Sequence, residues 1–285
     1  PFLLRTILKG EWAFRGFVVS DWGSVGEMIN HGFAANPAEA AMKAINAGCD
    51  MDMESRCYTS SLDSLVKTGK VSMDVIDDAV RRILTLKFEM GLFDDPYKWC
   101  DTEREKKEIS DPAHAEAARD MARKSIVLLK NDNQVLPLSK NLKTIAVIGP
   151  LVKLVKENKG FWDVNVPGTD SSFIVSQWEG IKNKVGSQTR LLYAKGCDIG
   201  GNRRDGFAEA LKIAREADAV ILSIGERRDM TGEAKSRSDI TIPGVQEELL
   251  KALLETGKPV VVLINTGRPL VFPFTSEKAP AILYT

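Results

Sequence analysis

Carboxylates at the ends of short apolar runs are the residues of this sequence best placed for chemistry. Gly16-Phe17-Val18-Val19-Ser20-Asp21-Trp22 is an apolar run that turns polar at its end. It reads as a buried strand with Asp21 at its carboxyl end, the place where barrel enzymes put catalytic groups. Trp22 beside it offers a flat face that can stack on a sugar ring. Glu226 follows a second run, Ala219-Val220-Ile221-Leu222-Ser223-Ile224-Gly225, and a polar loop over 230–239 carries Glu233, Lys235, Arg237 and Asp239. Carboxyl groups so placed serve as nucleophiles or proton donors. Taken singly, each has a plainer reading: a strand-end Asp caps the following turn, and a loop of this charge is solvated surface.

Other chemistries find little support. The two histidines, His31 and His114, are too few for a multi-His metal site or a His-centred triad and read as ordinary surface or helix residues. Cys49, Cys57, Cys100 and Cys197 show no CxxC or Cys/His spacing, so no zinc site is expected, and their disulfide state stays open. Ile148-Gly149-Pro150 follows a strand-like run but lacks the G-x-G-x-x-G that opens a dinucleotide site. No cofactor is expected. The 39 Lys and Arg balance the 39 Asp and Glu, which argues against nucleic acid or a polybasic membrane surface as partner. No apolar run approaches the roughly 20 residues of a membrane-spanning helix.

The elements that must position these residues are α/β in pattern. A length of 285 residues suggests about two domains. After the Asp21 run, Asn36 as N-cap with Pro37 behind it starts a helix that Gly48 ends. Cys49-Asp50-Met51-Asp52-Met53 reads as a second strand, and a long helix over 72–91 shows one face of Ile76, Ala79, Val80, Ile83 and Leu84. Strand, helix, strand, helix is the repeat of a parallel sheet or barrel. Residues 93–110 shift to charged composition around Pro96 and form the best linker, and Asp111-Pro112 opens a new helix. Buried-strand runs recur at 144–149, 219–225 and 259–265, with helices over 207–217 and 245–255 between them. The start at Pro1 and the strand-like end Ala281-Ile282-Leu283-Tyr284-Thr285 suggest a piece cut at both ends.

Four motifs carry a resemblance. Residues 16–22 resemble the nucleophile strand of glycoside hydrolase family 3, the β-glucosidase type. Lys124-Ser125-Ile126-Val127-Leu128-Leu129-Lys130-Asn131-Asp132 with Leu136-Pro137-Leu138 resembles the entry to that family's second domain. Gly232-Glu233-Ala234-Lys235-Ser236-Arg237 resembles its acid/base loop, and Thr266-Gly267-Arg268-Pro269-Leu270 resembles a later strand end. The four occur in family order.

The resemblance implies the C-terminal part of a (β/α)8 barrel over 1–98, a linker over 99–110 and an α/β sandwich with a mainly parallel sheet over 111–285, both domains incomplete. A full barrel takes about eight βα units, and about two precede the linker. It implies a retaining, exo-acting hydrolase of terminal β-D-glucosyl residues, with Asp21 as nucleophile and Glu233 as acid/base. Such carboxyls stand ~5–5.5 Å apart, so docking of the domains would build the site. Trp22 and Trp162 would flank the substrate, with a buried core residue as the other reading of Trp162. Glu226 is expected to be structural, and Arg237 to pair with Asp239. The substrate would be an oligosaccharide or an aryl or alkyl glycoside. A homodimer is admitted, and a periplasmic or secreted location is implied. A β-xylosidase or α-L-arabinofuranosidase is the rival within the family, since residues that tell hexose from pentose lie outside these motifs. The family's N-acetylglucosaminidase branch takes its acid/base from a His, which the Glu233 loop disfavours. An inactive carbohydrate-binding piece is the rival outside catalysis.

Overall fold

A computed structural model describes residues 1–109, 111–163 and 174–285. The chain divides into two compact units, Pro1–Asp111 and Pro112–Thr285.

The first unit is helical among its described residues. It opens on a wide π-helix, Phe2–Glu11, and continues through α1 (Ser24–Asn30), α2 (Pro37–Ala47), α3 (Cys57–Lys67), α4 (Met73–Glu89) and α5 (Thr102–Ile109). The N-terminus of α2 is a reciprocal cap: Asn36 Oδ1 accepts from the Glu39 amide at 3.0 Å and Glu39 Oε2 from the Ala35 amide at 2.8 Å. Gly48 ends this helix at φ 106°, a conformation that favours glycine. Arg5 donates to the carbonyls of Ile45 and Asn46, so the π-helix caps the carboxyl end of α2. Ala40, Ala41 and Ile45 pack with Val25, Leu65, Val71 and Ala79 into one core. Ser72 caps α4 by accepting from the Asp74 amide.

The two strands expected at 16–22 and 49–53 are reduced to a single parallel bridge, Val19↔Met51. Ser20 donates to the Met51 carbonyl at 2.9 Å and Met51 to the Val18 carbonyl at 3.0 Å. A ladder grows by adding neighbours, and among the described residues no third segment pairs with these two. The buried face expected of the first segment is correspondingly open, with Val19 39% exposed. The apolar face expected for α4 is also only partly covered: Ala79 is buried, whereas Val80 and Leu84 are exposed. Residues 93–109 include α5 and cluster with the first unit.

The second unit is a six-stranded sheet with helices on both faces. In chain order its elements are α6 (Pro112–Ser125), β1 (Val127–Asn131), β2 (Thr144–Ile148), α7 (Gln177–Val185), β3 (Arg190–Ala194), α8 (Phe207–Glu216), β4 (Ala219–Gly225), α9 (Gln246–Leu254), β5 (Val260–Asn265), α10 (Pro273–Lys278) and β6 (Ala281–Tyr284). The strand order is β1-β6-β5-β4-β2-β3. Among the described residues only the β1–β6 pair is antiparallel. β4 is buried along its whole length, as a central parallel strand must be. Ala210 and Ala214 of α8 and Leu249, Leu250 and Leu253 of α9 cover one face over Val220, Leu222, Val260 and Val262. Trp178, Ile181 and Val185 of α7 cover the other, over Ile145, Val147 and Ile221. Lys153 lies 3.8 Å from the Tyr193 ring centroid and 4.8 Å from that of Trp178, closing this second layer.

The chain passes outward from β2 to β3 and returns to β4 on the other side of β2, so the winding reverses between β2 and β4. In open α/β sheets the crevice at the carboxyl ends beside such a reversal is where ligands bind. The backbones are close here: a Cβ on Gly149, just past β2, would lie 2.0 Å from the Ser223 carbonyl oxygen. The loop that follows β4 emerges on this edge.

Candidate functional site

In the first unit, Asp21 stands just past the Val19↔Met51 bridge and is exposed. Its Oδ1 accepts from the Trp22 amide at 2.7 Å, and its carbonyl accepts from the Ser24 amide at 3.2 Å. The turn closes through Gly23, whose φ of 68° is left-handed and whose amide donates to the Met53 carbonyl at 2.8 Å. Ser20 Oγ accepts from the Met53 amide at 2.9 Å. Asp21 is therefore tied to the second segment on both sides. Trp22 is 69% exposed.

Two cations fix the base of this segment. Lys9 Nζ lies 2.6 Å from Asp50 Oδ1, both side chains being buried, and Asp50 Oδ2 also accepts from the Val18 amide at 2.8 Å. Arg82 of α4 donates to the carbonyls of Phe14 and Gly16 and pairs with Asp78. Asp52 accepts from Ser55 Oγ and the Tyr58 amide, which makes it an anchor for the start of α3. The contacts that reach across the fold, Lys9 to Asp50 and Arg82 to the carbonyls of Phe14 and Gly16, do not follow from local spacing.

In the second unit the loop after β4 carries Glu233, which is exposed. Arg268 grips this loop, its Nη2 donating to the carbonyls of Met230 and Lys235, on either side of Glu233. Gly232 adopts φ 115°, and a Cβ there would meet the Phe161 ring at 2.3 Å, so the loop backbone lies flat on an aromatic face. Ala234 follows in the left-handed region at φ 57°. Lys235 Nζ lies 5.8 Å from the Phe161 centroid. Trp162 packs edge-on against Phe161, with centroids 5.1 Å apart. It is 72% exposed, which removes the buried-core reading of this residue.

Glu226 is buried beneath the loop. Arg237 Nη1 donates to its Oε1, and Thr266 Oγ1 donates to its Oε2 at 2.6 Å. Arg268 Nε lies 3.4 Å from Oε2. The expected Arg237–Asp239 ion pair is not formed. Arg237 turns inward because a buried carboxylate must be matched by a cation, while Asp239 closes its own turn by accepting from the amide and hydroxyl of Thr241. Those bonds hold the Asp239 carboxyl below its usual value, with Arg237 contributing from farther off. Arg228 ties the loop's start to the segment on both sides of Phe161, its amide donating to Glu157 Oε2 at 2.6 Å and its guanidinium reaching Asp163 at 3.1 Å. Lys159 and Arg228 together lower the Asp163 carboxyl's pKa.

A cleft of about 390 Å³ opens at the carboxyl edge of the sheet, lined among others by Glu157, Glu226, Arg228, Thr231, Asn265 and Thr266. Thr266-Gly267-Arg268-Pro269-Leu270 has no role legible in the sequence beyond its resemblance to a strand end. The structure supplies one: Thr266 and Arg268 hold Glu226 and the loop.

The family model for the glycosyl hydrolase family 3 N terminal domain matches residues 1–86, and that for the family's C-terminal domain matches residues 126–285. A periplasmic beta-glucosidase of Salmonella typhimurium is 39% identical over all of this chain, which spans 40% of that relative. A beta-xylosidase of Formosa agariphila is 40% identical with the same coverage. The crystal structure of a beta-glucosidase from Listeria innocua in complex with isofagomine matches 99% of this chain with a TM-score of 0.87 and 34% identity, over 38% of its own length.

Proposed function

Because this chain belongs to glycosyl hydrolase family 3, we propose that it carries both reacting carboxyls of a retaining, exo-acting β-glucosidase. Asp21 is the nucleophile and Glu233 the acid/base. Glu233 protonates the glycosidic oxygen while Asp21 attacks the anomeric carbon and the leaving group departs. Glu233 then takes a proton from water as that water displaces Asp21 from the sugar. The reaction needs one carboxyl ionised and the other protonated at its start. Trp22 and Trp162 give apolar faces for the sugar, and the substrate is an oligosaccharide or an aryl or alkyl glycoside. One observation carries the reading: each matched domain contributes one exposed carboxyl on a backbone turn fixed from both sides, Asp21 by the bonds of Ser20 and Gly23 to residues 51–53, Glu233 by Arg268.

A β-xylosidase is the second reading, favoured by the beta-xylosidase relative at 40% identity. A periplasmic location fits the Salmonella relative. The experiment is covalent trapping in the whole enzyme with 2-fluoro glucosyl and xylosyl reagents, followed by peptide mass spectrometry. The label is expected on Asp21, faster with the glucosyl reagent. A label on another residue removes Asp21 from the role, and faster trapping by the xylosyl reagent selects the second reading.

A further inference from the structure

Glu226 is a costly residue to bury. Its side chain has no exposed surface, whereas those of its partners Arg237 and Arg268 are about one-fifth exposed. Buried ion pairs add little net stability compared with apolar packing, so its presence calls for a geometric explanation.

The contacts supply one. Glu226 Oε1 takes Arg237, a residue of the loop itself, and Oε2 takes Thr266 and faces Arg268. Arg268 in turn holds the carbonyls of Met230 and Lys235, which bracket Glu233. Thr266 Oγ1 also accepts from the Arg268 amide at 3.2 Å. The Glu226 amide donates to the Asn265 carbonyl at 2.9 Å, which fixes the carboxylate to the end of β5. Without its charge the two guanidiniums would face each other with no anion between them. We propose that Glu226 is a positioning residue: its buried carboxylate locks Arg237 and Arg268, and through them sets where the loop presents Glu233. The proposal rests on the reading of Glu233 as acid/base.

The test compares Glu226→Gln and Arg237→Gln with Glu233→Ala in the whole enzyme. Three quantities are read: amide exchange over 230–238, the melting temperature, and kcat on aryl glycosides with poor and with activated leaving groups. Glu226→Gln is expected to speed exchange in the loop several-fold while β4 and β5 keep their protection. It should lower kcat on poor leaving groups on the order of 10²-fold, the effect of a misplaced catalytic group, with a smaller loss on activated ones and KM little changed. Arg237→Gln, on the more open side, should follow it and serves if Glu226→Gln fails to fold. A lower melting temperature with parental loop exchange and parental leaving-group dependence would mean that Glu226 only stabilises, and the proposal falls. If Glu233→Ala itself shows no leaving-group dependence, the acid/base reading falls first and takes the proposal with it, whatever the loop does.

Discussion

At the scale of single residues, the two proposed carboxyls are exposed, whereas the ion-paired acids of the same two units, Asp50 and Glu226, are not. Asp50 and Glu226 are buried against cations, and Asp52 and Asp239 satisfy local turns. That contrast leads to a prediction for Glu233. Glu233→Ala in the whole enzyme should reduce hydrolysis of glycosides with poor leaving groups by about 10²–10⁴-fold. Substrates whose leaving group needs little protonation should lose far less. Equal losses across a leaving-group series would count against Glu233. The cysteines give a second prediction. Burial pushes the Cys197 thiol up to about 12, with Asp198 adding to the shift, whereas Cys100 is exposed. At pH 8 iodoacetamide should label Cys100 and leave Cys197 untouched until the chain unfolds, since the thiolate is the nucleophile. Peptide mapping before and after denaturation reads this directly.

At the scale of elements, what could be read from the sequence depended on burial. β2, β4 and β5 are central and near-continuously apolar, and their runs declare them. β3 and β1 lie at the two edges of the sheet and show mixed or exposed positions, so their apolar runs are too brief to declare a strand. α1 and α3 start without a side-chain cap, and no start signal marked them. Asp21 and Glu233 were legible as candidates because the motifs that carry the family resemblance are continuous in sequence. The partners of Glu226 were not, because Arg237, Thr266 and Arg268 meet it only through the fold.

One further link between elements is testable by acid. Asp218 Oδ2 accepts from the amides of Lys143 and Thr144, joining the starts of β2 and β4. Those two bonds depress the pKa of its carboxyl. A depressed folded pKa stabilises above the unfolded value of about 3.9 and is lost as pH falls below it. Exchange at Lys143 and Thr144 should therefore accelerate as pH falls through and below that range, beyond the acid trend of other β2 amides. Asp218→Asn should abolish that excess, and persistence of it in the variant would assign the effect elsewhere.

At the scale of the whole molecule, the two units are unequally built. Most of the largest fully buried side chains, Ile148, Leu222, Ile224, Leu249, Leu250, Leu253, Ile264 and Ile282 among them, belong to the second unit, while Ile45 and Val71 represent the first. Native-state exchange should accordingly be slowest in β4 and β5 and faster over 16–23, where one bridge and scattered hydrogen bonds rather than a ladder hold the Asp21 segment. Val80, Leu84 and Phe88 leave an open apolar stripe on α4, Phe88 being 62% exposed, and stripes of this kind drive association. The 285-residue chain expressed alone is expected to self-associate in sedimentation and to leave an aryl β-glucoside unhydrolysed. A monomer that hydrolyses it would show that these two units suffice.

The place of β6 inside the sheet, between β5 and β1, has a consequence for the order of synthesis. Of the six strands of this sheet β1 is translated before the other five, yet its antiparallel partner is made after them. On the ribosome β2 to β5 can pair in sequence as their helices emerge, while the apolar Val127-Leu128-Leu129 segment waits without a neighbour. β1 is therefore joined to the other strands in one late step, when Ala281–Tyr284 slides between β5 and the waiting strand. Until then the nascent chain exposes two unpaired edges at once, which is the interval in which it most needs protection from its own kind.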